Sequence, residues 1–112
     1  MIILINGSIN SGKTTTGRLL AALLPRTAHV EVDTLREFVA CLPLDEAIPI
    51  NLENAAAVTR NLVARHFHVV LTYPLGDEDH AYLRAAFADL GTPIHTFTLG
   101  PPLEVALADR GE

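Results

Sequence analysis

The chain has 112 residues and a mass of 12.1 kDa, enough for one domain (residues 1–112) around one core, and its 49% hydrophobic content with mean hydropathy +0.29 excludes a disordered chain. A net charge of −5 and a pI near 5.4 disfavour extended contact with a nucleic acid backbone, yet leave room for a small anionic nucleotide in a local pocket. The single Cys41 excludes an intrachain disulfide. No apolar run approaches the roughly 18 residues of a membrane span, so no membrane association is expected and the cytoplasm is the expected compartment.

The chain opens on an apolar run, Ile2-Ile3-Leu4-Ile5, that reads as a buried strand entering a loop. Gly7, Gly12, Lys13 and Thr14 fill the spacing G-x-x-x-x-G-K-[ST], with a strand before it and a helix pattern after it, which is the context a phosphate-binding loop requires. Main-chain N–H groups of such a loop, here Gly7, Ser8, Asn10, Ser11 and Gly12, point at phosphate oxygens, and the helix start adds its positive end. Lys13 is expected at the β and γ phosphates, the Thr14 hydroxyl on Mg²⁺ and Thr15 at the α phosphate. The other seven basic residues are all arginine, so a lysine at this one position favours the ligand-binding reading over an empty glycine turn.

Thr16, Leu19, Leu20 and Leu23 recur every three or four residues and predict a helix with one buried stripe, stopped by Pro25. His29 to Asp33 reads as a second strand with Asp33 at its C-terminal end, and Thr34 to Leu42 as a short helix ended by Pro43. The two prolines between Pro43 and Ile50 predict a loop over a pocket. Leu52, Ala55, Ala56, Thr59, Leu62 and Val63 form the inner face of a helix from about Asn51 to Arg65. His68 to Thr72 is a third strand; His66 and His68 alternate on one face as surface or core histidines, since no His or Cys spacing resembles a zinc site. A loop at 74–77 leads to a helix over 78–90 with Leu83, Ala86, Phe87 and Leu90 inward, capped by Gly91. Ile94 to Leu99 is a fourth strand, Gly100-Pro101-Pro102 a turn, and Leu103 to Asp109 the start of another helix.

Alternating strands and helices predict an α/β fold, a three-layer α/β/α P-loop NTPase with a mainly parallel sheet. Ligands of such sheets sit beyond the carboxyl ends of the strands, where Gly7 to Thr14, Asp33, Thr72-Tyr73 and Gly100 to Pro102 would gather. A GTPase needs a further lysine in its guanine-binding element, and the chain has none. The third strand ends in Thr72-Tyr73 without the acid of a Walker B strand, which leaves Asp33 as the strand-terminal acid of that kind, a candidate base or metal partner unless it merely caps the next helix. Arg36 is balanced between an acceptor contact and a surface ion pair, and Tyr73 between lining the acceptor pocket and packing.

These residues resemble the small P-loop kinases, the group that includes shikimate kinase, chloramphenicol phosphotransferase, gluconate kinase and the kinase domain of polynucleotide kinases. The resemblance implies that ATP and Mg²⁺ are bound, that Asp33 stands beside the γ phosphate and the acceptor hydroxyl, and that Arg36, in Asp33-Thr34-Leu35-Arg36, positions the acceptor. It places Arg110 near adenine or phosphate, and the strands in the order 2-3-1-4. The chain departs from shikimate kinases in having Leu35 where they have a second aspartate, and Thr72-Tyr73-Pro74 where they have a glycine run. The family continues into a lid, a fifth strand and a final helix, so a C-terminally truncated kinase is expected, catalytically weak and associating with itself through the exposed edge of its fourth strand. The leading expectation is a kinase of a small hydroxyl-bearing molecule; the alternatives are a nucleotide-binding module with little catalysis and a nucleic acid 5′-hydroxyl kinase, the latter disfavoured because no basic track is present.

Overall fold

Four strands and the helices between them alternate along the chain in a computed structural model that describes residues 1–7, 12–39, 42–73 and 76–99, with the side chain of Arg36 outside that description. Strand β1 (Ile2–Gly7) is followed by helix α1 (Lys13–Leu23), strand β2 (Thr27–Glu31), the single-turn helix α2 (Val32–Leu35) and a 3₁₀ turn (Arg36–Phe38). Helix α3 (Leu44–Ala64), strand β3 (His68–Thr72), helix α4 (Asp77–Phe87) with a 3₁₀ extension (Ala88–Leu90), and strand β4 (Ile94–Leu99) complete it. The strands form one parallel sheet in the order β2-β3-β1-β4, as the alternation of elements and the family resemblance require. Central β1 pairs on both sides, and Ile2 to Ile5 are all buried, which is why its sequence is an unbroken apolar run rather than an alternating one.

The pleat divides the core in two. Ile2 and Leu4, with Val69 and Leu71, face α3 and α4 and pack with Leu52, Ala55, Ala56, Leu83 and Phe87. Ile3, Ile5 and Val70 face the other way, joined by the partly buried Leu20 and Leu99. On the first face a two-pronged ion pair also ties α3 to the end of α4: Arg60 donates to both carboxylate oxygens of Asp89, at 2.7 and 2.9 Å, and to the Ala86 carbonyl at 2.8 Å. Gly91, at φ 64°, ends this helical stretch in the left-handed conformation expected of a C-terminal glycine.

Several local expectations give way. Leu19 and Leu23 of α1 are exposed, at 55% and 75%, and the residue this helix buries is Gly17. A Cβ there would stand 2.6 Å from His29 Nε2 and 2.9 Å from Thr72 Cγ2, so α1 approaches the sheet along the line its smallest residue opens. Strand β2 ends at Glu31, and Val32 already begins α2, because pairing with β3 starts at Thr27↔His68 and ends at Glu31↔Thr72. Asp33 is therefore inside a helical turn, neither a strand end nor an N-cap, and among the described residues the single helix expected over 34–42 is replaced by α2 and the 3₁₀ turn.

The loop expected over 43–50 is the first part of α3, which runs straight through Pro49. Pro43 lies just outside the helix, and its carbonyl accepts from Glu46 and Ala47. Pro49 removes one N–H, the partner of the Asp45 carbonyl, early in the helix where Asp45 is exposed to water, while Ile48 and Leu52 reach the core. His66 is likewise not on a strand: it occupies the turn after α3 at φ 68°, while His68 opens β3 and its Nδ1 lies 2.9 Å from the terminal amine of Met1.

Candidate functional site

The C-terminal edge of the sheet gathers the residues on which function rests. Buried β1 delivers the chain to Gly7, whose N–H donates to Asn6 Oδ1 at 2.8 Å, and the helix resumes after Gly12. Gly12 is at φ 90°, ψ 14°, in the left-handed region, and a Cβ at this position would meet nothing within 4 Å. Glycine is needed there for its backbone conformation and not for space. Lys13 is the first residue of α1 and half-buried; with Gly12, Thr14 and Thr15 it lines a concavity of about 230 Å³ at the helix start. The first turn of α1 contains no acid, so its own side chains do not offset the positive helix end.

One hydrogen bond fixes the hydroxyl at this helix start. Thr14 Oγ1 donates to Glu31 Oε1 at 2.5 Å, joining the first turn of α1 to the last residue of β2. Its short length is that of a charge-assisted bond to a carboxylate. Two residues earlier on the same strand face, His29 Nε2 lies 2.7 Å from Thr72 Oγ1 on β3, directly beneath Gly17. Burial of the His29 ring lowers its pKa below the ordinary imidazole value; the Glu31 carboxylate opposes this shift and the Arg18 guanidinium adds to it. Together these contacts seat α1 over the ends of β2 and β3.

The sequence-derived residues are placed as follows. Gly7, Gly12, Lys13, Thr14 and Thr15 lie at the β1–α1 junction as expected, whereas Ser8, Asn10, Ser11, Arg110 and the Gly100-Pro101-Pro102 turn lie outside the described residues. Asp33 is exposed on α2, and Arg36 begins the 3₁₀ turn after it. The acid brought to Thr14 is Glu31, which the sequence reading passed over. Strand alternation was the available signal: Glu31 shares the α1-facing side of β2 with His29, whereas a strand running to Asp33 draws attention to the wrong end. Tyr73, 6% exposed, packs in the α3/α4 core. The segment expected to loop over a pocket supplies Asp45 and Ile48, and the helix turn after it Leu52 and Glu53, to an acid-lined groove of about 410 Å³ against Glu78, Asp79 and Tyr82.

Among the described residues no three His, Cys, Asp or Glu side chains form a group able to hold a metal by themselves. A cation that keeps most of its waters and takes the rest of its ligands from phosphate needs less, and the paired Thr14 hydroxyl and Glu31 carboxylate are hard oxygen donors of the type Mg²⁺ prefers. The residues present fit that ion. No helix among the described residues is long and apolar enough to cross a membrane.

No family model and no curated protein sequence matches the chain. Its likeness is to solved structures. It aligns with APE1195 over 100% of its own length and 69% of that chain, at TM-score 0.81 and 21% identity. With a variant of the APS kinase CysC of Mycobacterium tuberculosis the figures are 90% and 76%, TM-score 0.71 and 22% identity. The tunicamycin resistance protein of Deinococcus radiodurans aligns over 87% of this chain at TM-score 0.60 and 25% identity, and this chain spans 60% of it. At these identities the likeness establishes a P-loop kinase-like fold, with its parallel 2-3-1-4 sheet, and leaves the substrate open.

Proposed function

We propose that this chain binds ATP with Mg²⁺ at the start of α1 and transfers the terminal phosphate to the hydroxyl of a small molecule. The observation that carries the reading is the Thr14–Glu31 hydrogen bond beside the left-handed Gly12 and Lys13. A hydroxyl that donates its proton to a carboxylate keeps its lone pairs for a cation, so Glu31 holds Thr14 in the orientation a metal ligand needs. Lys13 and the main-chain N–H groups of the helix start neutralise phosphate charge as it redistributes in the transition state. Mg²⁺, if held by the Thr14 hydroxyl with Glu31 behind it, would supply further neutralisation of phosphate charge. The metal partner assigned to Asp33 on sequence is thus reassigned to Glu31. Asp33 keeps the other half of its role: exposed on α2 beyond the end of β2, it accepts the proton of the acceptor hydroxyl, with Arg36 orienting the acceptor.

Calorimetry and turnover assays test this together. Lys13→Ala is expected to weaken Mg·ATP binding by about tenfold or more, because it removes the charge aimed at the terminal phosphates. Glu31→Gln keeps an acceptor for Thr14 but loses the charge, so it lowers the affinity for Mg·ATP while leaving metal-free nucleotide binding nearly unchanged. Asp33→Asn preserves nucleotide affinity and lowers turnover by about 10²-fold. Equal affinity of the wild type and Lys13→Ala for Mg·ATP would overturn the proposal.

A further inference from the structure

The outer edge of β4 is self-complementary, and we infer that it pairs antiparallel with β4 of a second copy to make a continuous eight-stranded sheet. β4 bonds to β1 on one side only, and among the described residues nothing pairs with its other side. The β1 register and the bond from the Ile2 N–H to the Pro93 carbonyl fix which residues face outward: Ile94, Thr96 and Thr98 turn their main-chain N–H and C=O groups away from β1. Such an edge is normally blunted by charge, proline, a bulge or a covering element, and Ile94-His95-Thr96-Phe97-Thr98-Leu99 has neither a charged residue nor a proline.

The side chains make the same case. His95, Phe97 and Leu99 lie on the α1 side of the sheet, opposite Ile3, Ile5 and Gly7 of β1. There Phe97 is 55% exposed and, with Ile3, Ile5, Thr16, Leu20 and Leu99, lines an apolar groove of about 340 Å³ that α1 leaves uncovered. A two-fold axis through the sheet at Phe97 sets Thr96 opposite Thr98 of the second copy as hydrogen-bonded pairs on either side of a non-hydrogen-bonded Phe97–Phe97 pair. His95 then meets Leu99. Like charges nowhere oppose each other across the strand pair, and the two rings close both grooves from the same side. An axis centred on Thr96 does less: it sets Phe97 against His95 and Leu99 against Pro93, so the two rings no longer meet. Six residues give an edge of about 20 Å. A pair of six-residue strands with their flanking side chains is small beside the roughly 1,200–2,000 Å² of a standard interface, so the dimer is expected to be weak and concentration-dependent.

Light scattering across a concentration series, on the full chain, reads the association. The wild type is expected to pass from monomer to dimer at high micromolar concentration, and Phe97→Asp, at an exposed position, to raise the dissociation constant about tenfold or more without loss of helical or sheet signal. Register is read by disulfide trapping in a Cys41→Ser background. Phe97→Cys places two sulfurs across a non-hydrogen-bonded pair with Cα atoms about 4.5 Å apart, and it should cross-link under mild oxidation. Thr98→Cys, whose equivalents lie two residues out of step, should not. A chain that stays monomeric at every concentration, its edge left bare or covered by its own residues after Leu99, overturns the inference. So does a dimer that survives Phe97→Asp and fails to trap through Phe97→Cys.

Discussion

On one face of the sheet, α3 and α4 press Leu52, Ala55, Leu83 and Phe87 onto Ile2, Leu4, Val69 and Leu71, each 5% exposed or less; on the other, α1 covers Ile3, Ile5 and Val70 and leaves Leu19 and Leu23 in water. The first face uses long side chains on two helices, so its energy comes from burial and close packing. The second brings backbone near. Gly17 lets α1 settle low over β2 and β3, which carries Thr14 to Glu31 and presents the helix start beyond the strand ends. What that face gives up is apolar cover: the same low seat leaves the Ile3–Leu20–Phe97 groove open. Burial is concentrated on the α3/α4 face, and the proposed ligand site on the α1 face.

The sharpest way to break this division is a pair of core truncations read by chemical denaturation. Leu83→Ala, at a fully buried position on α4, is expected to cost about 2–5 kcal/mol. Comparable loss from Leu20→Ala, on the partly open α1 face, would show that the two faces share the load.

Gly17→Ala comes next. The added methyl meets His29 Nε2 and Cδ2 at 2.6 and 2.7 Å, so a net cost of about 1–2 kcal/mol remains after the better helix propensity of alanine. Because it lifts the first turns of α1, the substitution should weaken nucleotide binding more than the equally destabilising loss of a residue on α4. Equal effects on binding would separate the helix seat from the ligand site.

A smaller effect follows from His29, whose folded pKa lies below its unfolded value through burial. The unfolded chain takes up the proton first, so the contribution of neutral His29 is present above the unfolded pKa near 6.5 and is lost as pH falls through the lower folded value. His29→Gln should flatten the dependence of stability on pH below 6.5 relative to the wild type. An unchanged slope would assign the acid sensitivity to other groups. Smallest of all, Leu23→Gln is expected to change stability by less than about 0.5 kcal/mol, since 75% of that residue is already in solvent. A loss as large as that of Leu83→Ala would mean that something covers the outer side of α1.

The sequence by itself determined the features that rest on neighbouring residues. The apolar run Ile2–Ile5, the glycine spacing with Lys13 and Thr14, the inner faces of α3 from Leu52 onward and of α4, and the Gly91 cap are each set by contacts within a few residues, and each is found where the pattern placed it. Alternation of elements, with the family resemblance, was enough for the parallel sheet and its order. Tertiary structure decided the rest. Two prolines argued locally for a loop at 43–50, but burial of Ile48 and Leu52 outweighs the single hydrogen bond that Pro49 removes. The stripe of leucines on α1 argued for one orientation, and the close approach that only Gly17 permits imposed another. Where β2 stops is set by its register with β3 and not by its own residues, and that boundary makes Glu31, rather than Asp33, the carboxylate that holds Thr14. A strand end, a helix face and the partner of a hydroxyl are each chosen by residues distant in the chain, and no local pattern can contain them.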